Sequence, residues 1–302
     1  MSNLQQRLFI GMDGGGTKIK LKVADGSGKV LAQAQAGPAQ IRYSVAQAWA
    51  SINDALNQAL GSLGISSDAS NVELYACAGL AGCEIQSAQQ DFLSQPHCFK
   101  ELLLYSDAYV ACVGAHGGDT GGVVIAGTGV VGLSLINGHP KQVAGWGFPQ
   151  DDLGGGAWLG LEAFKQCLQS LDGRMPVSSL SQSIYEYFGS NQEDMVCWAC
   201  NANPTLWASL APLVTASASQ GDQFAKGLLK QAASYITQVI DALMPVNYDE
   251  AFNVALFGGL STFIYPHLPE RIQKSIVDRE NDAEDGALWL IQKHTRLGVS
   301  DE

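Results

Sequence analysis

Basic side chains are scarce in this sequence. Its 302 residues include 17 lysines and arginines against 29 aspartates and glutamates, which gives a net charge of −12 at pH 7. Nucleic acids are bound through basic surface, so this balance argues against DNA or RNA as a partner. It leaves nucleotide binding open, because a metal ion can supply positive charge locally.

Long apolar runs are absent as well. The most apolar stretch, residues 121–136, is short for a bilayer and is interrupted by glycines and Thr128, so it predicts two strands and a turn. The N-terminus has no basic region followed by a long apolar stretch, so no signal peptide is expected. We therefore predict a cytoplasmic protein that has no membrane partner.

Cysteine occurs without a disulfide or metal-binding pattern. The seven cysteines are irregularly spaced, which is typical of a reducing cytoplasm. Cys197 and Cys200 form a lone CxxC motif, with neither a second pair nor histidines at ligand spacing. We expect two buried or half-buried thiols there, and a redox role is the alternative.

The most informative feature that is present is a glycine-rich turn at residues 13–18. An apolar run over residues 9–12 leads into it, and apolar residues at 19, 21 and 23 follow with the period of two that predicts a strand. Phosphate-binding glycine loops of the P-loop kind lead into a helix instead. This turn is therefore predicted at the bend of a β-hairpin.

The residues of the turn suit phosphate and metal binding. Glycine leaves backbone N–H groups free to close around phosphate oxygens, Thr17 adds a hydroxyl donor, and the Asp13 carboxylate can hold Mg²⁺. The alternative is an ordinary hairpin with a glycine bulge. Lys18 either lies near the phosphates or is solvated beside Lys20 and Lys22, and we favour solvation.

The elements repeat in two similar blocks. Each block is predicted as three strands and a helix, with a glycine turn between the first two strands. In the first block, apolar residues three and four apart over residues 44–63 predict an amphipathic helix. The second block has strands near residues 122–126, 131–136 and 139–144, a hairpin turn at Asn137 and Gly138, and a helix over 155–171. A chain of this length usually forms two domains. We predict an α/β protein with domains over residues 1–118 and 119–285, mostly helical between 172 and 250. A closing helix at about 286–302 is expected to pack back on the first domain.

Three glycine turns follow one another in a fixed order. They consist of Asp13, Gly14, Gly15, Gly16, Thr17 and Lys18, then Gly127, Thr128 and Gly129, and finally Gly258 and Gly259. This order resembles the actin-like ATPase, sugar kinase and Hsp70 superfamily. More narrowly, the chain is similar to the branch of the BadF/BadG/BcrA/BcrD ATPases that holds N-acetylglucosamine and glucosamine kinases. The resemblance implies two ribonuclease-H-like domains joined by a hinge, with ATP and Mg²⁺ in the cleft between them.

The resemblance also implies roles for individual residues. Asp107 stands where these kinases carry the catalytic base, which takes the proton of the attacking sugar hydroxyl. The alternative is that Asp107 only caps a helix that starts near residue 108. Trp146, Gly147, Asp152 and Gln40 occupy positions that contact the sugar in the family, although Gln40 replaces a common asparagine. Structural roles, as a core tryptophan and a helix N-terminal acid, are the alternatives for Trp146 and Asp152.

Two departures from the family pattern bear on the substrate. Val130 stands where the family usually has serine, and Leu153 where it usually has glutamate. Both positions lie where the 2-substituent of the sugar could be read. They favour glucosamine over N-acetylglucosamine as the expected substrate.

The resemblance therefore implies ATP-dependent phosphorylation of an amino sugar at its 6-hydroxyl. D-glucosamine is the first choice and N-acetylglucosamine the alternative. A lower alternative is an ATPase that activates a dehydratase through an iron–sulfur cluster, with Cys112 and Cys167 as conceivable ligands. A non-catalytic sugar sensor on a kinase fold is a third, and a homodimer stays open.

Overall fold

The computed structural model describes residues 6–67, 69, 71–244 and 252–297. Residues 245–250 of the predicted helical region and residues 298–302 of the predicted closing helix lie outside the described residues. The chain divides into two compact units. Unit 1 comprises the described residues up to Gly121, Leu135–Pro140 and those from Asp278 onwards, and unit 2 comprises Gly122–Ser134 and the described part of Lys141–Val277.

The first sheet has five strands in the order β3-β2-β1-β4-β5. They are β1 Gln6–Gly14, β2 Ile19–Ala24, β3 Val30–Ala36, β4 Val72–Leu80 and β5 Glu101–Tyr105. The first three strands pair antiparallel, and β4 and β5 are parallel to β1 and β4, respectively. The carboxyl ends of β1, β4 and β5 therefore meet at one edge of the sheet.

The second sheet repeats this order as β8-β7-β6-β9-β10. Its strands are β6 Gly121–Ala126, β7 Val130–Ile136, β8 His139–Ala144, β9 Val254–Phe257 and β10 Ile276–Val277. Strand β9 is parallel to both β6 and β10. Two α/β units with this strand order confirm the predicted ribonuclease-H-like fold class.

Twelve α-helices are found among the described residues, together with a short 3₁₀ turn. They are α1 Val45–Ser62, α2 Gln86–Ser94, α3 Asp107–His116, α4 Gly156–Leu171, α5 Ser179–Tyr187, α6 Gln192–Asn201, α7 Pro204–Ala208, α8 Ala211–Ser219, α9 Gln223–Leu243, α10 Ser261–Ile264, α11 Glu270–Gln273 and α12 Ala283–Leu297. None of the described helices combines the length and the apolar character needed to cross a bilayer.

The core of unit 1 lies between one face of its sheet and α1. Alternate residues of β1, including Ile10 and Met12, are fully buried there against the apolar stripe of the helix, which includes Ile52 and Leu56. Strand side chains alternate between the two faces of a sheet. Gly11 and the other odd-numbered residues of β1 therefore face the opposite side.

That opposite side is covered by α12 and α3, which pack against the sheet and each other. A side chain at Gly11 would overlap the Glu284 carbonyl at the start of α12, so only glycine permits this approach. Likewise, a side chain at Gly286 would overlap the Val110 carbonyl of α3. The glycines bring the first turn of α12 down onto the carboxyl end of β1.

Two features differ from or refine the sequence prediction. Helices α10 and α11 and strand β10 were not predicted, because elements of four and two residues are too short to display a period. The turn at Asn137 and Gly138 was predicted, and both residues have positive φ, at 51° and 79°, as a two-residue type I′ hairpin requires.

Candidate active site

The first glycine turn joins β1 to β2, which confirms the predicted hairpin. Asp13 lies opposite Lys20 and Gly14 opposite Ile19 in the antiparallel register. Beyond this pair, the Gly15 N–H donates to the Lys18 carbonyl at 3.0 Å and closes the bend. Thr17 and Lys18 are exposed.

Two neighbouring loops fix this turn in place. The Ala39 N–H donates to the Gly15 carbonyl at 3.0 Å, and the Ala81 N–H donates to the Gly14 carbonyl at 2.9 Å. A Cβ at Gly14 would lie 2.6 Å from Leu80 Cδ2, whereas a Cβ at Gly15 would meet no atom within 4 Å. Gly14 is thus required for packing, and Gly15 leaves open space above the backbone. Half-buried Gln40, predicted to contact the sugar, follows Ala39 in one of these loops.

Asp13 is the next-to-last residue of β1 and carries a strongly perturbed carboxyl group. Burial is the main cause that raises its pKa to about 7, and the negative charges of Asp107 and Glu284 raise it further. The ammonium of Lys20 opposes this shift. An aspartate in such surroundings favours a cation, because positive charge would restore its ionised form.

The lysines of β2 have different surroundings from those expected. Lys22 was expected to be solvated, but its side chain is only 14% exposed and its Nζ lies 2.7 Å from Asp285 Oδ2. Lys20 Nζ lies 3.8 Å from Glu284 Oε1. Both lysines are drawn to the first turn of α12, whose approach to the sheet depends on glycines that show no sequence period.

Asp107 lies at the start of α3, at the carboxyl end of β5. Ser106 is the N-cap, because its Oγ accepts a hydrogen bond from the Tyr109 N–H at 3.2 Å. The alternative that Asp107 is the cap is therefore wrong. Asp107 is the first helical residue, and its Oδ1 accepts from the Ala108 N–H at 2.9 Å.

The surroundings of Asp107 suit a proton acceptor. Burial raises its pKa to about 6, against the lowering effect of the Ala108 N–H; the negative charge of Glu84 raises it and the Arg42 guanidinium lowers it. Arg42 and Glu84 form an ion pair with each other. A base with a pKa just below neutrality is ionised at pH 7 and still binds a proton usefully. The sequence analysis missed this ion pair, because 42 residues separate its members.

The second glycine turn joins β6 to β7 and lies against the start of α4. The Gly127 N–H donates to the Gly129 carbonyl at 3.0 Å and closes the hairpin. The Gly156 and Ala157 N–H groups donate to the carbonyls of Gly127 and Thr128 at 2.8 and 2.9 Å. These two hydrogen bonds fix the turn against the N-terminus of a 16-residue helix, where the helix dipole favours negative charge.

Asp152 also contacts the second turn. Its Oδ1 accepts a hydrogen bond from the Val130 N–H at 3.2 Å, and a Cβ at Gly129 would overlap its carboxylate. A Cβ at Gly127, by contrast, would meet no atom within 4 Å. This turn therefore pairs one packed glycine with one open glycine, as the first turn does. The predicted contact of Asp152 with sugar stays a prediction.

The third glycine turn follows β9. Gly258 has a φ of 92° and a side chain there would overlap the Ala126 backbone, while the space around a Cβ at Gly259 is open. The Leu260 N–H donates to the Ala126 carbonyl at 3.2 Å. The turn is thus fixed to the end of β6, next to the second turn in the same unit.

The loop that follows β8 contains the other residues predicted to contact the sugar. Trp146 is 74% exposed, and its backbone N–H donates to Asp151 Oδ2 at 3.0 Å. The alternative of a core tryptophan is therefore wrong. Gly147 has a φ of 97° and accepts at its carbonyl from the Asp151 N–H. The role of Trp146 and Gly147 in sugar binding stays a prediction.

The cysteines fall into two groups. Cys197 and Cys200 are exposed, so the expectation of buried or half-buried thiols is wrong. They lie on α6, whose inward face is formed by Met195 and the half-buried Trp198. Cys112 and Cys167 are buried, and burial raises the thiol pKa to about 12 and about 11. Neither is placed as an exposed cluster ligand would be.

A divalent cation fits the carboxyl end of β1. Among the residues that the structure describes, no group of three or more acidic, histidine or cysteine side chains forms a complete metal site. Mg²⁺ needs no such cage, since it binds through one or two carboxylates and otherwise keeps waters and phosphate oxygens. The perturbed carboxyl of Asp13 beside an open glycine turn has this character.

Comparison with known proteins identifies the family. The sequence profile of the BadF/BadG/BcrA/BcrD ATPase family matches residues 10–286. The chain therefore belongs to this family, as the glycine turns predicted.

Individual relatives narrow the similarity to amino-sugar kinases. The chain is 34% identical over 285 residues to glucosamine kinase GspK of Vibrio cholerae, covering 94% of this chain and 96% of the relative. It is 28% identical over 278 residues to N-acetyl-D-glucosamine kinase of Dictyostelium discoideum, covering 85% and 86%. A solved structure from Chromobacterium violaceum, provisionally described as an N-acetylglucosamine kinase, is 34% identical with a TM-score of 0.88 and coverages of 95% and 99%.

Proposed function

We propose that this protein is an ATP-dependent amino-sugar kinase that phosphorylates D-glucosamine at the 6-hydroxyl. The observation that carries the proposal is the half-buried Asp107 carboxyl, with a pKa of about 6, at the same sheet edge as the first glycine turn. Membership of an ATPase family and 34% identity to a glucosamine kinase support it. Asp107 is the residue to which the sequence resemblance assigned the base.

In the proposed reaction the sugar oxygen attacks the γ-phosphorus of ATP. The bond from that phosphorus to ADP breaks as the new P–O bond forms, and the hydroxyl proton passes to the Asp107 carboxylate. The Ala108 N–H holds Oδ1 of Asp107 at 2.9 Å, so the carboxylate needs little reorientation. A fixed base at a helix start contributes through position as well as basicity.

The glycine turns are proposed to hold the phosphates. Gly15 and Gly127 leave open space beside their turns, while their own N–H groups close the hairpins. The hydroxyls of Thr17 and Thr128 are proposed to donate to phosphate oxygens in that space. The Asp13 carboxylate would hold Mg²⁺, and the metal would neutralise the negative charge that develops on the phosphates. Lys18 is exposed at the end of the first glycine turn, and we include it among the proposed contacts to the nucleotide phosphates. Gly16, Gly258 and Gly259 complete the proposed nucleotide contacts.

The preference for glucosamine rests on a comparison of substrates. Initial rates with ATP and Mg²⁺ should give a higher kcat/KM for glucosamine than for N-acetylglucosamine, with phosphate found on the 6-oxygen of the product. A higher kcat/KM for the acetylated sugar would reverse the choice. A protein that hydrolyses ATP without any sugar dependence would contradict the kinase proposal and favour a dehydratase activator.

One observation favours N-acetylglucosamine as the second candidate. Val130 and Leu153 line a cavity of about 170 Å³ in unit 2, with Gln238 among its other lining residues. An acetamido group needs an apolar recess and an amide partner, and both are present in this lining. Val130→Ser tests this directly, because a change in the ratio of kcat/KM for the two sugars would mean that the position reads the 2-substituent.

We further propose that units 1 and 2 correspond to the domains expected over residues 1–118 and 119–285, with residues 119–121, 135–140 and 278–285 assigned to unit 1 instead. The small-molecule partners are ATP and the amino sugar. The cytoplasmic location and a homodimer stay predictions.

A further inference from the structure

Glu284 is a buried acid that the proposed reaction has not used. It lies in the first turn of α12, and its side chain is only 6% exposed. Its Oε2 meets no hydrogen-bond donor among the described residues, and its Oε1 lies 3.8 Å from Lys20 Nζ. Leaving a charged oxygen buried without a partner is costly, so the arrangement calls for an explanation.

The topology places Glu284 beside Asp13. Gly11 and Asp13 occupy alternate positions of β1, so they face the same side of the sheet. The start of α12 packs on Gly11 at the Glu284 carbonyl. Lys20 is opposite Asp13 in the register and is also the cation nearest to Glu284. The two carboxylates thus approach one ammonium from two elements.

The charges around this point do not balance. Lys22, the next lysine on the same face, is taken up by Asp285 at 2.7 Å and Asp282 at 3.8 Å. Lys20 alone is left between Asp13 and Glu284, which gives two carboxylates for one ammonium. The first-turn N–H groups of α12 add some positive potential, but only a partial charge. A further cation would neutralise the excess negative charge of the two carboxylates. Water molecules bound to that cation would donate hydrogen bonds to Glu284 Oε2.

We propose that Glu284 is a second carboxylate of the Mg²⁺ site and holds the cation together with Asp13. This inference rests on the proposed function, in which Mg²⁺ accompanies the nucleotide. Two carboxylates with waters and phosphate oxygens form the kind of site that Mg²⁺ occupies in nucleotide-binding proteins. Because α12 belongs to unit 1 together with β1, the site is formed within one unit.

The test measures Mg²⁺-dependent thermal stabilisation of the ADP-bound protein, without sugar. Ligand that binds only the folded state stabilises it by RT ln(1 + [L]/Kd), so the rise of the melting temperature across a Mg²⁺ titration yields the half-saturating Mg²⁺ concentration. Glu284→Gln keeps the shape and removes the charge. We expect its metal-free melting temperature to rise, because a buried charge with too few partners is lost. Its half-saturating Mg²⁺ concentration should rise at least about tenfold, since loss of even an outer-shell partner typically costs that much metal affinity.

Asp285→Asn is the matched control in the same helical turn. Its carboxylate is paired with Lys22, so this variant should melt at a lower temperature without metal and keep the wild-type Mg²⁺ dependence. Glu284→Asp is the substitute variant if Glu284→Gln does not fold, because it keeps the charge on a shorter side chain. It should require more Mg²⁺ than the wild type for half-saturation. Where Glu284→Gln does fold, Glu284→Asp should require less Mg²⁺ than that variant.

The outcomes separate this inference from the proposed function. Unchanged half-saturation by Mg²⁺ in Glu284→Gln, or no Mg²⁺ effect in the ADP-bound wild type, would overturn the role of Glu284. A different outcome would overturn the kinase proposal alone. In it, Mg²⁺ stabilises the ADP-bound wild type, Glu284→Gln requires more Mg²⁺ for the same effect, and the wild type phosphorylates no amino sugar.

Discussion

The first and second glycine turns are built alike but differ in the charges around them. Each joins the first two strands of a five-stranded sheet with the same order, and each pairs a packed glycine with an open one. The first turn has Asp13 at its base and Asp107 and Glu284 close enough to raise the pKa of that aspartate. Beside the second turn, Asp152 accepts a hydrogen bond from Val130, and the N-terminus of α4 points at the turn.

This difference indicates that the two units have similar folds but different chemical roles. Perturbed carboxylates in unit 1 can hold a cation and accept a proton. In unit 2 the N-terminus of α4 beside the second turn favours negative charge, and the Asp152 carboxylate there accepts a backbone hydrogen bond. A duplicated architecture therefore need not carry duplicated chemistry, because the chemistry depends on the few side chains added at the strand ends.

The largest expected effect concerns Asp107, the proposed proton acceptor of unit 1. Asp107→Asn should lower kcat by about 10²–10⁴-fold, the usual contribution of a general base. Nucleotide affinity should change little, since the amide oxygen of the new side chain would still accept from the Ala108 N–H. Steady-state kinetics with ATP titration check both. Near-normal turnover in the folded Asp107→Asn variant would show that Asp107 is not the proton acceptor.

Gly15 and Gly127, the open glycines of the two turns, test whether both turns bind phosphate. Gly15→Ala and Gly127→Ala meet no atom within 4 Å, so both variants should remain stable. Each methyl group should obstruct phosphate and raise the KM for ATP about tenfold, the equivalent of losing one hydrogen bond of about 1–1.5 kcal/mol. A KM for ATP that rises in only one variant would mean that the two turns do not both bind phosphate.

Gly14→Ala provides the contrast within the first turn. Its Cβ would lie 2.6 Å from Leu80 Cδ2, so the free energy of unfolding should fall by about 1–3 kcal/mol, as for other overpacked sites. Urea denaturation measures this change. Equal stability of Gly14→Ala and Gly15→Ala would contradict the assignment of one packed and one open glycine.

Asp152 sharpens the comparison from the side of unit 2. Asp152→Ala removes the acceptor of the Val130 N–H and should raise the KM for ATP a few-fold, because the lost hydrogen bond positions the turn and does not itself contact phosphate. Asp152→Asn keeps an acceptor oxygen and should restore much of the loss. A rise confined to the KM for sugar would support the contact predicted from the sequence instead.

The charge of Asp13 in the first turn should also affect the stability of the ligand-free protein. The folded pKa of Asp13 is about 7 against a usual 3.8, so its favourable contribution is present below about pH 4 and is lost as the pH rises through 7. Asp13→Asn should therefore raise the free energy of unfolding at pH 8 by about 1–3 kcal/mol, and by less at pH 5. Denaturation at both pH values, without Mg²⁺ or nucleotide, measures the difference.

Asp172→Asn is the control for that measurement. Its exposed carboxylate is paired with Arg174, which lowers its pKa, so the substitution should not stabilise the protein at pH 8. Stabilisation by Asp172→Asn equal to that by Asp13→Asn would attribute the effect to net charge rather than to the surroundings of Asp13.

Sequence patterns predicted those parts of the fold that follow from local periodicity. The hairpin around residues 13–18, the amphipathic α1 and the turn at Asn137 and Gly138 all follow from spacing and turn chemistry. The position of Asp107 next to the first turn required the resemblance, since nothing local links the ends of β1 and β5.

The rest depended on contacts distant in sequence. Lys22 reaches Asp285 across 263 residues, and Glu284 is buried only because Gly11 lets α12 approach the sheet. An acid in a first helical turn is common, so Glu284 carried no signal of its own. The exposure of Cys197 and Cys200 was likewise set by which face of α6 turns inward.

The pH dependence of kcat/KM for the sugar tests the central claim most directly, because kcat/KM reports the ionisation of the enzyme before the sugar binds. At saturating MgATP, the wild-type kcat/KM for the sugar should fall about tenfold per pH unit below pH 6, as protonation removes the base. The residual kcat/KM of Asp107→Asn should lack this limb. A flat wild-type profile between pH 5 and 7, or the same acid limb in Asp107→Asn, would contradict the assignment of Asp107 as the proton acceptor.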